Sequence, residues 1–98
     1  MSLLVVVPGA LRLHATDRPE IHVPFEGGSL AEALDALWNA APGLRDRILT
    51  ELNELRPHIN VFVNGRNARD IGTMSARVDA DAEIVLLPAV SGGEGTQL

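Results

Sequence analysis

The sequence predicts an α+β fold: a mixed sheet of four to five strands with one main helix and a second, short helix on one face. Three observations lead there. At 98 residues the chain is the size of a single domain. Short apolar runs bounded by Gly, Pro and Asn alternate with two amphipathic stretches, in the order β-β-α-(α)-β-(β)-β. The composition is 46% apolar, which suffices for a core, and its 21% of charged residues are scattered rather than blocked, unlike a disordered chain. We expect a domain over residues 1–90 and a flexible tail over 91–98.

Leu3 to Val7 is a continuous apolar run ended by Pro8-Gly9 and reads as a strand. Glu20 to Phe25 alternates, with Ile21, Val23 and Phe25 on one side and Glu20, His22 and Pro24 on the other. The interval Gly9 to Pro19 is long for a hairpin, so the two strands pair through a wide connection. Ser29 and Glu32 have the spacing of a capping box. Behind them Leu30, Ala33, Leu34, Leu37 and Ala41 recur at helical spacing until Pro42-Gly43 closes the segment. A second helical stripe is expected through Leu44, Ile48, Leu52 and Leu55, with Arg45, Asp46, Arg47 and Glu51 exposed. Trp38 falls at the edge of the first helix's apolar stripe. Ile59 to Val63 is a strand leading into the tight-turn pair Asn64-Gly65. Residues 66–82 are polar and turn-rich, and Glu83 to Leu87 forms a last strand stopped by Pro88.

One layer of helices covers one sheet face, so the strands should alternate between apolar and polar. They do not. Leu3 to Val7 is apolar on both sides, Val85 and Leu87 oppose Ile84 and Leu86, and Phe62 opposes Val61 and Val63. The second face needs either a loop or a partner protein to cover it.

Several function classes are excluded or disfavoured. A net charge of −5 argues against nucleic-acid and anionic-membrane binding. The absence of Cys removes disulfides, thiolate catalysis and Cys-ligated metals. All eight basic side chains are Arg, so no Schiff base and no side-chain isopeptide can form on this chain. His14, His22 and His58 lack metal-ligand spacing, and Asp79, Asp81 and Glu83 lack the glycine of a calcium loop. No Ser-His-Asp or Gly-x-Ser-x-Gly pattern makes Ser29 a nucleophile. The start MSLLVVVPG has neither a basic leader nor a long apolar stretch, and no run is long enough to span a bilayer. A soluble cytoplasmic domain that binds no metal is the expectation.

The tail contains Gly92-Gly93 a few residues beyond the last strand. Without Cβ atoms, such a pair fits a narrow channel, and from Val90 to Gly93 an extended chain reaches roughly 10 Å. It can equally be a frayed end. The wider run from Asp79 through Glu83-Ile84-Val85-Leu86-Leu87-Pro88-Ala89-Val90-Ser91-Gly92-Gly93 resembles the end of the ThiS/MoaD family of ubiquitin-like sulfur carriers. Asn60-Val61-Phe62-Val63-Asn64-Gly65 resembles that family's preceding strand and turn, and Val7-Pro8 with Leu11-Arg12 is similar to its CysO-like thiocarboxylate carriers.

The resemblance implies a ubiquitin-like β-grasp and a carrier role in which the protein is a cosubstrate, not an enzyme. In that family a ubiquitin-activating-enzyme-like adenylyltransferase uses ATP to adenylate the terminal glycine carboxylate. Sulfide or a persulfide then displaces AMP, and the thiocarboxylate donates sulfur to an acceptor synthase. Carried over by position, Gly93 holds the reactive carbonyl and Gly92 gives it a thin approach. Phe62, Val85, Leu87, Pro88 and Val90 would form the docking face.

The sequence departs from the family pattern after Gly93, where Glu94-Gly95-Thr96-Gln97-Leu98 follows and locks the carboxyl in an amide. The expectation is cleavage between Gly93 and Glu94 by a JAMM-type metalloprotease. Ala80 also stands where the family often has Gly, which bears on the turn and not on the chemistry. Two alternatives stay open: a non-catalytic ubiquitin-like docking module, and the small subunit of a molybdopterin synthase. The acceptor (cysteine, a thiosugar or another sulfur-containing metabolite) is decided in the partner enzyme.

Overall fold

The computed structural model describes residues 1–12 and 18–88. In chain order the elements are β1 (Ser2–Val6), α1 (Gly9–Arg12), β2 (Glu20–Pro24), β3 (Gly28–Ser29), α2 (Leu30–Ala40), a 3₁₀ turn (Pro42–Leu44), α3 (Arg45–Ile48), β4 (Ile59–Val63) and β5 (Arg66–Asn67). Two more 3₁₀ turns (Ala68–Asp70 and Thr73–Ser75), β6 (Arg77–Val78) and β7 (Glu83–Pro88) complete the described chain.

Five strands make a mixed sheet in the order β2-β1-β7-β4-β5, and β3 pairs with β6 in a small second sheet. β1 and β7 are parallel, and the other pairs are antiparallel. A parallel pair needs a long crossover, and here the chain between β1 and β7 places α2 over one sheet face. The tail-bearing strand β7 therefore lies in the middle of the sheet.

The helix starts where the sequence places it. Ser29 Oγ accepts the Glu32 N–H at 3.2 Å and the Glu32 carboxylate accepts the Ser29 N–H at 2.9 Å, a reciprocal capping box. These bonds to Ser29 backbone and hydroxyl hold the Glu32 carboxyl below its ordinary range. Just before the cap, Gly28 leaves room for that carboxylate; a Cβ there would run into Glu32 Oε1. Leu30, Ala33, Leu34 and Leu37 turn inward. They meet Leu3, Val5, Val61, Ile84 and Leu86 of the sheet in one core, and among the described residues no polar or charged residue is buried. The Ala41 N–H closes on the Leu37 carbonyl at 2.8 Å before Pro42 turns the chain.

One expectation is corrected. The second helical stripe does not reach Leu55: α3 ends at Ile48, Leu49 bridges Leu55, and Leu52 is 77% exposed at the tip of the intervening turn. The Thr50 hydroxyl accepts the Leu52 and Glu54 amides at 3.2 and 3.3 Å, and that local bonding outcompetes another helical turn. Residues 66–82 are turn-rich as expected, with two 3₁₀ turns, and the strand expected in this interval is realised as the two short strands β5 and β6. Pro88 is the final residue of β7, opposite Ile59, one residue beyond the expected Leu87. The Asn64-Gly65 turn is present, with φ of 49° and 85° respectively, the positive pair that a tight hairpin turn requires.

The outer sheet face and the root of the tail

Strand alternation divides β4 and β7 between two faces. Ile59, Val61 and Val63, with Ile84 and Leu86, point into the core. Asn60, Phe62, Val85 and Leu87 consequently point the other way. The register joins them: Phe62 stands opposite Val85, Asn60 opposite Leu87, and Val85 beside Val6 of β1. Val6, Val85 and Phe62 thus form a half-buried apolar row across three adjacent strands. Leu4 lies one step along β1 and Leu87, 43% exposed, one step along β7.

Polar residues bound this row. Glu20 is opposite Val6, His22 opposite Leu4, and Asn67 opposite Phe62. Asn67 Nδ2 donates to Asn60 Oδ1 at 3.3 Å. An apolar centre with a hydrogen-bonding border is the anatomy of a protein-binding surface.

At the end of β7 the tail leaves beside a clamp that sequence reasoning did not find. Arg69 Nη1 donates to the Ile59 carbonyl at 2.6 Å and to Asn60 Oδ1 at 2.9 Å, while Nη2 donates to the Arg56 carbonyl at 2.8 Å. Its own N–H is capped by Asn67 Oδ1 at 3.0 Å. One guanidinium thus ties the approach to β4 to the residue facing Pro88, the last described residue before the tail. No local pattern announces this, since its three acceptors are ten or more residues away or belong to the facing strand.

Of the residues expected on the docking face, Phe62, Val85 and Leu87 share the outer face, whereas Pro88 pairs with core-facing Ile59 and so belongs to the opposite face of β7. Val90, Gly92, Gly93 and Glu94, and with them the 91–98 tail, lie outside the described residues, as does His14. Among the described residues, no group of three His, Cys, Asp or Glu side chains is placed to hold a metal ion, and no helix is long and apolar enough to cross a membrane.

A model of the ThiS family matches residues 5–93. The chain belongs to the ThiS family. Small archaeal modifier protein 1 of Haloferax volcanii is 40% identical over 74 residues, spanning 74% of this chain and 80% of that protein. Its crystal structure superposes with a TM-score of 0.79 at 32% identity, covering 95% of this ThiS-family chain and 100% of the other. A chain in the crystal structure of the Amycolatopsis orientalis BexX/CysO complex superposes with a TM-score of 0.82 at 30% identity, covering 93% and 99%. Sulfur carrier protein CysO of Mycobacterium tuberculosis is 24% identical over 95 residues, covering 95% of this chain and 100% of that protein.

The fold is accordingly a ubiquitin-like β-grasp. The ThiS-family chain stands among small sulfur carriers and ubiquitin-like modifiers, proteins that are substrates rather than catalysts.

Proposed function

We propose that this ThiS-family protein carries sulfur as a thiocarboxylate on Gly93. The observation that carries the proposal is where the family match stops: it ends at residue 93, leaving Glu94 to Leu98 beyond it. In this reading a JAMM-type metalloprotease first hydrolyses the Gly93–Glu94 amide, water supplying the oxygen of the new carboxylate. A ubiquitin-activating-enzyme-like adenylyltransferase then joins that carboxylate to the α-phosphorus of ATP, releasing pyrophosphate. Hydrosulfide attacks the acyl carbon, a C–S bond forms, the C–O bond to AMP breaks, and the thiocarboxylate remains.

A carboxylate is a poor electrophile, and adenylation supplies the leaving group it lacks. Tethering sulfur to a folded domain also raises its effective concentration at the acceptor synthase. The carrier holds no cofactor; ATP belongs to its activating enzyme. The outer face of Val6, Val85, Phe62 and Leu87 supports docking, with Pro88 and Val90 leading Gly92 and Gly93 into the partner's channel. The solved complex of a relative, CysO with BexX, supports engagement with a partner protein, and the acceptor class in this reading is a precursor of cysteine, a thiosugar or another sulfur-containing metabolite. The reading places the protein in the cytoplasm.

The test is intact-protein mass spectrometry of the chain from its native host. A species ending at Gly93 with one oxygen exchanged for sulfur is the expected result. Only chain ending at Leu98, in cells with active protease and adenylating enzyme, would overturn the carrier in favour of a docking module.

The relative named as a modifier supports a second reading, in which the activated Gly93 carboxyl is joined to an amine of another protein. The same spectra separate the two, because a conjugate has the summed mass of both proteins less one water. Lacking Lys, this chain offers no side-chain amine for a second copy.

A further inference from the structure

Three polar side chains at the edge of the outer face lock one another's orientation. Arg69 N–H donates to Asn67 Oδ1 at 3.0 Å, which leaves the Asn67 nitrogen to donate, and Nδ2 reaches Asn60 Oδ1 at 3.3 Å. Arg69 Nη1 donates to the same Asn60 oxygen at 2.9 Å. A carboxamide that accepts two donors on its oxygen has one orientation, because its nitrogen can only donate. Asn60 Nδ2 is therefore a fixed donor, and among the described residues it has no acceptor.

Charge adds to that donor. The Arg69 guanidinium donates to Asn60 Oδ1 and to the Ile59 and Arg56 carbonyls, all of them uncharged acceptors. Among the described residues it forms no ion pair, even with Asp70 beside it in sequence. Both groups border the apolar row of the outer face. Asn60 is half-buried opposite Leu87, which is 43% exposed, and its neighbour Ile59 faces Pro88 at the root of the tail. A fixed N–H donor beside an uncompensated cation suits an anionic oxygen better than a neutral one, since charge-assisted hydrogen bonds are roughly twice as strong.

We infer that Asn60 and Arg69 receive an aspartate or glutamate side chain from whichever partner covers the outer face. A carboxylate oxygen accepts from Asn60 Nδ2, and the Arg69 guanidinium supplies the opposite charge. The partner surface is thus apolar against Phe62 and Val85, with an acidic residue at its border beside Leu87. This inference rests on the carrier reading and deepens its docking surface.

Two assays test it, each with the enzyme from the same genome: ATP–pyrophosphate exchange on residues 1–93, which keep every described element, and cleavage of the full chain by the protease. Phe62→Asp reports in each whether the partner covers the outer face. Wherever that variant raises KM, Asn60→Asp raises it about tenfold at unchanged kcat. Asn60→Asp is nearly isosteric and keeps an oxygen for Arg69 and Asn67, so the melting temperature is kept or raised. A merely structural Asn60 predicts no loss of function. Ser75→Asp adds the same charge on an exposed 3₁₀ turn and leaves KM unchanged. Added salt raises KM for wild type and moves Asn60→Asp less. If Asn60→Asp stays within twofold where Phe62→Asp does not, or if salt leaves wild type unmoved, this inference alone is overturned. If Phe62→Asp changes neither assay, the outer face is not a docking surface and the inference falls with it. If wild type supports no exchange, the carrier reading falls and takes the inference along.

Discussion

Phe62 stands directly opposite Val85, and the pair lies on the half-buried face of a sheet whose other face carries the core. Neither side chain belongs to the buried cluster that includes their neighbours Val61, Val63, Ile84 and Leu86. The pair is the centre of the proposed docking surface. Phe62→Asp places a charge there at a stability cost of about 1 kcal/mol, the scale of a cross-strand pair. The expected outcome is a tenfold or greater rise in KM for adenylation with far-UV circular dichroism unchanged.

Burial separates residues that the sequence alone makes look alike. Leu34 is fully buried beneath the sheet, whereas Leu87 is 43% exposed on its outer face. Leu34→Ala should cost about 2–5 kcal/mol, lowering the melting temperature by at least roughly 10 °C. Leu87→Ala should cost less than about 1 kcal/mol and act on partner affinity instead. Thermal unfolding followed by calorimetry distinguishes the two.

The close approach of Gly28 to the Glu32 carboxylate makes their substitutions interdependent. Gly28→Ala should destabilise the wild type by displacing that carboxylate from the Ser29 N–H. In a Glu32→Ala background the same change should cost less, because the obstructing oxygen is gone. A double-mutant cycle by urea unfolding reads the coupling directly.

Acid should weaken the start of α2. Hydrogen bonds from Ser29 lower the folded-state pKa of Glu32, so the cap's ionic contribution is fully present above the unfolded value of about 4.3. It is lost as pH falls through the lower, folded value. Stability against urea should accordingly decline with acid below about pH 4 more steeply in wild type than in Glu32→Gln.

Much of this was legible before any coordinates. Ser29 and Glu32 announced the helix start, since a capping box is written in four consecutive residues. Alternation in Ile59–Val63 and Glu83–Leu87 divided the strands into two faces, and so singled out Phe62 and Val85. Leu52 was misread because the spacing of Leu44, Ile48, Leu52 and Leu55 fits one helical stripe and also a short helix followed by a bridged turn. The Thr50 hydroxyl, not hydrophobic period, decides between them. Arg69 was invisible for another reason: its acceptors are backbone carbonyls and an Asn oxygen that only tertiary folding brings within reach.

The central place of β7 has a mechanical consequence. Its upstream end, Glu83, is level with Leu4 in the middle of β1, its parallel neighbour, and its far end leads to the tail. A pull between the amino terminus and the tail loads the β1–β7 hydrogen bonds side by side, in shear, so they resist together and cannot be unzipped one at a time. The β4 ladder braces the same strand from its other edge. In the proposed carrier role, tension on the tail would therefore leave the domain behind it in shape.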